Sequence, residues 1–335
     1  MDKHHIKFSG KFDLEAGGAL KDIEITYHTI GTLTDKSKVV WICHALTANS
    51  DAEEWWPGMV GKNCFFNGDD YFVICANVLG SCYGTTGPMS VNPETRKPYF
   101  GNFPFVTVRD MVAAHNLLKE HLNIKKIYAV VGSSIGGFQA IEYAICNKDV
   151  ENLVLMATNS RVSPWGTAFN EAQRMAIYAD KTYFENIPTG GLEGMKAARA
   201  TALLSYRSYQ GYNSTQFEEN DDIIFAERAS SYERYQGKKL ADRFNAYSYI
   251  VMTKAIDSHN IGRNRGGEEK ALSNISTKTL IIGIDSDVLF PLLEQKYMHK
   301  HIPNSYFHQI SSIFGHDGFL LESTQISEIL HDFLV

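Results

Sequence analysis

No apolar stretch in this sequence approaches the roughly 18 residues needed to cross a bilayer. The opening residues, MDKHHIKFSGKFDLEAGG, lack the apolar core of a secretory signal, so a cytoplasmic protein is expected. Cysteine is scarce. Cys43, Cys64, Cys75, Cys82 and Cys146 are the five in 335 residues, an odd count without a CxxC pair, so neither a disulfide framework nor a zinc knuckle is implied. A basic excess is also missing: 32 Lys+Arg face 38 Asp+Glu, a formal net charge of -6. That balance argues against non-specific nucleic-acid or anionic-membrane binding. There is no P-loop, no GxGxxG after a strand, no HExxH and no EF-hand loop. His4-His5 and the pair His299 and His301 lack further ligands at zinc-like spacing, so no metal is expected.

What is present is a globular hydrophobic fraction of 44% in a chain longer than one core usually serves. A main domain with an insertion is therefore expected. DIEITYHTI (22–30) alternates apolar and polar residues, the pattern of a half-buried strand. The runs VVWICH (39–44), YFVICAN (71–77), IYAVVG (127–132), LVLMAT (153–158) and TLIIGID (279–285) are almost wholly apolar. Such runs suit strands covered on both faces, as in a parallel sheet. Between them the pattern is helical: Thr107 to Leu122 gathers Val108, Met111, Val112, His115 and Leu118 on one face, with Thr107 and Asp110 as a capping box. The class is α/β, with a mostly parallel central sheet. From 163 to 267 the alternation gives way to helical periodicity rich in Tyr and charge, and it resumes afterwards. The expected organisation is a core of residues 1–162 and 268–335 interrupted by a helical lid of residues 163–267, with a last helix near Gly318–Leu334.

The chemistry centres on IYAVVGSSIGGFQA, where a strand, a sharp turn and a helix carry G-x-S-x-G at Gly132, Ser134 and Gly136. A serine at such an elbow needs strained backbone angles, and side chains two residues to either side would collide. Ser133 sits one place too early for the flanking glycines, so Ser134 is the nucleophile candidate. A serine hydroxyl needs a base. His301, His308, His316 and His331 follow the last long apolar strand, and only His316, in SSIFGHDGFL, lies in a glycine-flanked loop between a strand and a helix. For the acid, IDSDVLF offers Asp285 at the strand end and Asp287 in the loop; Asp287 is preferred, although either could cap the next helix. An acyl intermediate also needs preorganised N–H donors. Ile135, after the nucleophile, is one candidate. Leu46, in the HALTANS loop (44–50), is the other.

Taken together, HALT (44–47), NVLGSCYGTTGP (77–88), FPFVTVRDMV (103–112), GSSIGGFQA (132–140), SPWGTAFNEAQ (163–173), GLEGMKAAR (191–199), SYRS (205–208), HNIGRNRGG (259–267), DSDVLFP (285–291) and GHDGFL (315–320) resemble the homoserine O-acetyltransferases of the α/β-hydrolase superfamily. The resemblance spans nearly the whole chain and implies the α/β-hydrolase fold. It implies a ping-pong transfer of an acetyl group from acetyl-CoA, a co-substrate rather than a bound cofactor, through acetyl-Ser134 to L-homoserine, in methionine biosynthesis. It implies Arg199, assisted by Tyr206, as the ligand of the acceptor's carboxylate, Asp317 as the ligand of its ammonium, and a homodimer. A zwitterion needs one fixed cation and one fixed anion, which these side chains supply. Arg263 and Arg265, in a glycine-rich loop, are read either as ligands of CoA phosphates or as a solvated turn. Relatives that use succinyl-CoA or serine, and serine esterases or thioesterases on the same fold, are the alternative readings.

Overall fold

In a computed structural model of residues 1–335, the apolar runs become strands of a single eight-stranded sheet. The strands are β1 (Asp2–Asp13), β2 (Ala19–Ile30), β3 (Val39–Cys43), β4 (Phe72–Ala76), β5 (Ile127–Ser133), β6 (Val150–Met156), β7 (Lys278–Ile284) and β8 (Ser305–Ile310). They lie in the order β1-β2-β4-β3-β5-β6-β7-β8. The β1–β2 and β2–β4 pairs are antiparallel and the others parallel. The apolar runs have a simple cause. Val39, Trp41 and Cys43 of β3 enter one core, while Val40 and Ile42 enter a second core on the opposite face. A strand buried twice cannot alternate with polar residues.

The helices are α1 (Ala52–Trp55), α2 (Val108–His121), α3 (Ile135–Cys146), α4 (Pro164–Ala179), α5 (Leu192–Tyr206), α6 (Tyr209–Gln216), α7 (Glu227–Ala241), α8 (Ala246–Asp257), α9 (Glu268–Ser273), α10 (Leu292–His301), α11 (Gly318–Leu321) and α12 (Ser323–Leu334). Both halves of the capping box on α2 form: Thr107 Oγ1 accepts from the Asp110 amide at 3.3 Å, and Asp110 Oδ2 accepts from the Thr107 amide at 2.7 Å. Helices α4 to α9 fill the stretch between β6 and β7. No helix is long and apolar enough to cross a membrane.

Two features differ from the sequence reading. The chain opens with a long hairpin whose first strand is mostly exposed and keeps only a few apolar residues, Ile6, Phe8 and Phe12, against the core. The expected last helix is split into α11 and α12, because Glu322 adopts φ -93° and ψ 43°, outside helical space. The chain leaves β3 toward β4 on one side and returns to β5 on the other. Their carboxyl ends therefore flank a topological switch point, where open α/β sheets form their ligand crevice.

Candidate active site

Ser134 occupies the switch point, directly after β5, with φ 55° and ψ -128°. A non-glycine residue there is strained and persists only if its surroundings fix it. They do so at close quarters. A methyl group on Gly132 would lie 2.0 Å from the Gly136 carbonyl oxygen, and one on Gly136 would lie 2.1 Å from that of Cys43. The two glycines are thus required by each other and by β3, which is the steric reason for the motif. The Ser134 amide donates to the Met156 and Ala157 carbonyls at 3.1 and 3.2 Å, and Thr158 Oγ1 donates to the Ser134 carbonyl at 2.8 Å. The end of β6 therefore clamps the elbow on both sides. The rival serine, Ser133, is buried within β5.

His316 and Asp287 come together across two loops at the same edge of the sheet. His316 Nδ1–H donates to Asp287 Oδ2 at 2.7 Å, and both side chains are almost fully buried. Since a carboxylate can only accept, this bond fixes the tautomer and leaves Nε2 as the acceptor. Asp287 Oδ1 accepts from the amides of Leu289 and Phe290 at 2.8 and 2.9 Å, which locks its rotamer. The imidazole ring packs among Phe290, Phe319 and Tyr206, at centroid distances of 5.1, 5.4 and 5.8 Å. Burial favours the neutral ring, but attraction to Asp287, their hydrogen bond and the charge of Asp317 outweigh it, so the pKa rises above 6.5. Asp285 has other work: its oxygens accept from Ser311 Oγ at 2.8 Å and the Ser312 amide at 3.1 Å, pinning the chain that leads to His316. Of the other candidate bases, His308 is exposed on β8 and His301 lies 3.9 Å from Glu269.

Leu46 and Ile135 border the same cavity as Ser134. Ile135 is the first residue of α3, and such N–H groups have no partner inside the helix. The Leu46 amide makes no hydrogen bond to the backbone outside the regular elements or to any side chain. Two buried residues unanticipated in this role fix these segments. Gln139 Nε2 donates to the carbonyls of both His44 and Ile135, at 3.3 Å each, tying the loop after β3 to the first turn of α3. His44 Nδ1–H donates to the Ala45 carbonyl at 2.9 Å, and Nε2 accepts from the Val78 amide at 3.3 Å. Burial lowers the His44 pKa to about 4, which keeps Nε2 free to accept.

A cavity of about 560 Å³ is lined by Ser134, Leu46, His316, Arg199, Tyr206, Arg207 and Asp317. Larger clefts elsewhere contain none of the triad, oxyanion or acceptor-binding candidates, although Arg263 lines one of them. Arg199, on α5, reaches this cavity rather than solvent and has its guanidinium 5.4 Å above the Tyr206 ring. Asp317 has a partner that the sequence did not suggest: Arg207 Nε lies 3.1 Å from its Oδ2, an ion pair without an aligned hydrogen bond. Burial raises the Asp317 pKa, with Arg207, Arg199 and His316 opposing. Arg263 and Arg265 do not line this cavity. Nor do they form a solvated turn: Arg263 pairs with Glu15 at 2.8 Å, and Arg265 with the buried Glu142 at 2.7 Å. These bonds tie their loop to the core.

An eight-stranded sheet with this elbow serine and a buried His–Asp pair at its carboxyl edge defines an α/β hydrolase, and the alpha/beta hydrolase fold family matches residues 38–323. The homoserine O-acetyltransferase of Cyclobacterium marinum is 45% identical over 324 residues, covering 96% of this chain and 92% of that protein. The crystal structure of homoserine O-acetyltransferase from Bacillus anthracis superposes with TM-score 0.89 at 25% identity, covering 100% of this chain and 98% of that one. The crystal structure of an esterase superposes equally well, TM-score 0.89 at 25% identity, covering 100% of both chains. The chain belongs to the homoserine O-acetyltransferase family of the α/β hydrolases.

Proposed function

We propose that this protein transfers the acetyl group of acetyl-CoA to the side-chain hydroxyl of L-homoserine, with Ser134, His316 and Asp287 as the catalytic triad. Ser134 Oγ attacks the thioester carbonyl while His316 Nε2 takes its proton. The amides of Leu46 and Ile135 hold the developing oxyanion. The C–S bond breaks, the CoA sulfur takes the proton from His316, and acetyl-Ser134 remains. L-homoserine then enters, with Arg199 and Tyr206 on its carboxylate and Asp317 on its ammonium. Its hydroxyl gives a proton to His316 and attacks the acetyl carbon; the C–Oγ bond breaks, and Ser134 regains its proton as O-acetyl-L-homoserine leaves.

The observation that carries this reading is one cavity lined by Ser134, His316 and two opposite charges, Arg199 and Asp317. Hydrolysis needs no binding site for a zwitterion. The likeness to an esterase favours a second reading, with water as the acceptor. The two separate on CoA release from acetyl-CoA: transfer requires release to depend on added homoserine, while equal release without it overturns transfer. Crossing acetyl- and succinyl-CoA with homoserine and serine tests donor and acceptor in the same assay, and faster turnover of succinyl-CoA or of serine overturns the assignment.

The same proposal includes a homodimer. Leu204 on α5, Tyr209 on α6, and Phe217, Ile224 and Phe225 in the link to α7 are 60% to 90% exposed, an apolar group that a second copy would cover. A monomer by sedimentation at micromolar concentration overturns it. The five unpaired cysteines, two of them inside β3 and β4, suit the reducing cytoplasm in which we place the protein.

A further inference from the structure

The cavity at Ser134 holds more positive charge than one amino-acid acceptor needs. Arg207 is paired with Asp317, and Arg199 serves the acceptor's carboxylate in the proposed reaction. Lys239 and Arg243 line the same cavity, and neither lies within ion-pair distance of a carboxylate. Their neighbours in sequence show the contrast: Lys238, in the last turn of α7, pairs with Asp242 at its carboxyl cap at 2.8 Å. Arg243 is held by uncharged groups, since Nη1 donates to the Thr47 carbonyl and to Tyr83 Oη, 2.5 Å each. That anchorage sets its remaining N–H donors beside the loop that carries Leu46. Glu54 is the one other carboxylate on the lining, and its Oε2 accepts from Asn49 Nδ2 at 3.0 Å. In a chain of net charge -6, two uncompensated cations at the rim of a catalytic cavity call for a second anion.

We infer that Lys239 and Arg243 form the subsite for the phosphates at the nucleotide end of the acyl donor. The inference rests on the transfer reading, because it takes the donor to be a CoA thioester. A lysine suits a phosphate as a mobile point charge, and an anchored arginine as a directed fork. The thioester then reaches inward to Ser134 while the phosphates stay at the rim. The two substrates thus divide the cations of the cavity, with the donor on Lys239 and Arg243 and the acceptor on Arg199. This division allows CoA to leave before homoserine binds without disturbing the acceptor's anchor.

The test compares two donors on the full-length protein: acetyl-CoA, and S-acetyl-N-acetylcysteamine, a thioester without phosphates. Lys239→Gln should lower kcat/KM for acetyl-CoA about tenfold, the usual worth of one charge-assisted contact, with less than twofold change for the truncated donor or in the KM of homoserine. Lys239→Arg should restore most of the loss. Arg243→Gln should act in the same direction, although it also frees the Thr47 carbonyl, so Lys239 is the cleaner probe. Equal losses with both donors, or no loss with either, would overturn the subsite. Binding of adenosine 3′,5′-bisphosphate by calorimetry needs no turnover and separates this inference from the transfer reading. Binding that weakens in Lys239→Gln supports the subsite even if the wild-type protein transfers no acetyl group, and the absence of binding overturns it.

Discussion

At the carboxyl edge of the sheet, Gly132 and Gly136 pack so closely that a single methyl group would fall about 2 Å from a carbonyl oxygen. Both carboxylate oxygens of Asp287 have partners there within 2.9 Å. Across the cavity, the Arg199 guanidinium has no carboxylate partner and sits 5.4 Å above a tyrosine ring, while Glu233 on the neighbouring α7 keeps both carboxylate oxygens buried and unpaired. Burial holds the Glu233 pKa at about 7, with Arg199 only partly offsetting it. The first region is closed before substrate arrives. The second carries charge waiting for a ligand. Bond-making groups must be held within tenths of an ångström, whereas recognition groups must remain unsatisfied to favour the ligand over their own neighbours.

Substitutions on each side should therefore fail differently. Ser134→Ala should remove acetyl-enzyme formation, read as the missing mass increase after acetyl-CoA, and lower turnover by about 10⁴-fold or more. Asp287→Asn should lower kcat by roughly 10³- to 10⁴-fold while leaving the fold intact by circular dichroism. It should also move the pH profile. In the native protein Asp287 raises the His316 pKa, so the imidazole stays protonated to higher pH and the acid limb of kcat/KM lies above 6.5. Without that negative charge burial dominates, and the limb should shift to lower pH; an unmoved limb would mean that another group is the base.

On the recognition side, Arg199→Ala should raise the KM for homoserine about a hundredfold with the first half-reaction changed less than twofold, by stopped-flow detection of CoA. Equal collapse of both half-reactions would erase the distinction between the two regions. The smallest expected effect sharpens it: Gln139→Met keeps the volume but removes the tie between His44 and Ile135, and should lower kcat about tenfold at unchanged KM. A change in KM alone would instead assign Gln139 to recognition.

The geometry of the candidate site at the carboxyl edge was legible in the sequence because its constraints are local. Strand, elbow and helix are contiguous, and the Gly132–Gly136 contact spans four residues. The capping box at Thr107 and Asp110 was readable for the same reason. Asp287 and His316 followed from their places after successive strands. Arg207 was not identified, because its partner Asp317 is distant in sequence and a chemically similar Arg199 stood nearby. The ties of Arg263 and Arg265 to Glu15 and Glu142 cross more than a hundred residues, and no spacing announces them. Strand β1 was not anticipated because its residues are mostly solvated, and a register shift between Phe8 and Lys11 breaks the alternation that marks a strand.

The helical insertion leaves the sheet after β6 and rejoins it before β7, and its two ends pair with each other: Arg161 bridges Asn260, the Val162 amide donates to the His259 carbonyl at 3.2 Å and the Ile261 amide to the Ser160 carbonyl at 3.1 Å. Its stems therefore meet side by side, like the two ends of a loop of thread passed through one buttonhole. A segment attached this way can be lengthened, shortened or exchanged over generations without opening a gap in the layer beneath. Changes in the appended helices can then alter what enters the cavity while leaving in place the sheet edge that carries Ser134, Asp287 and His316.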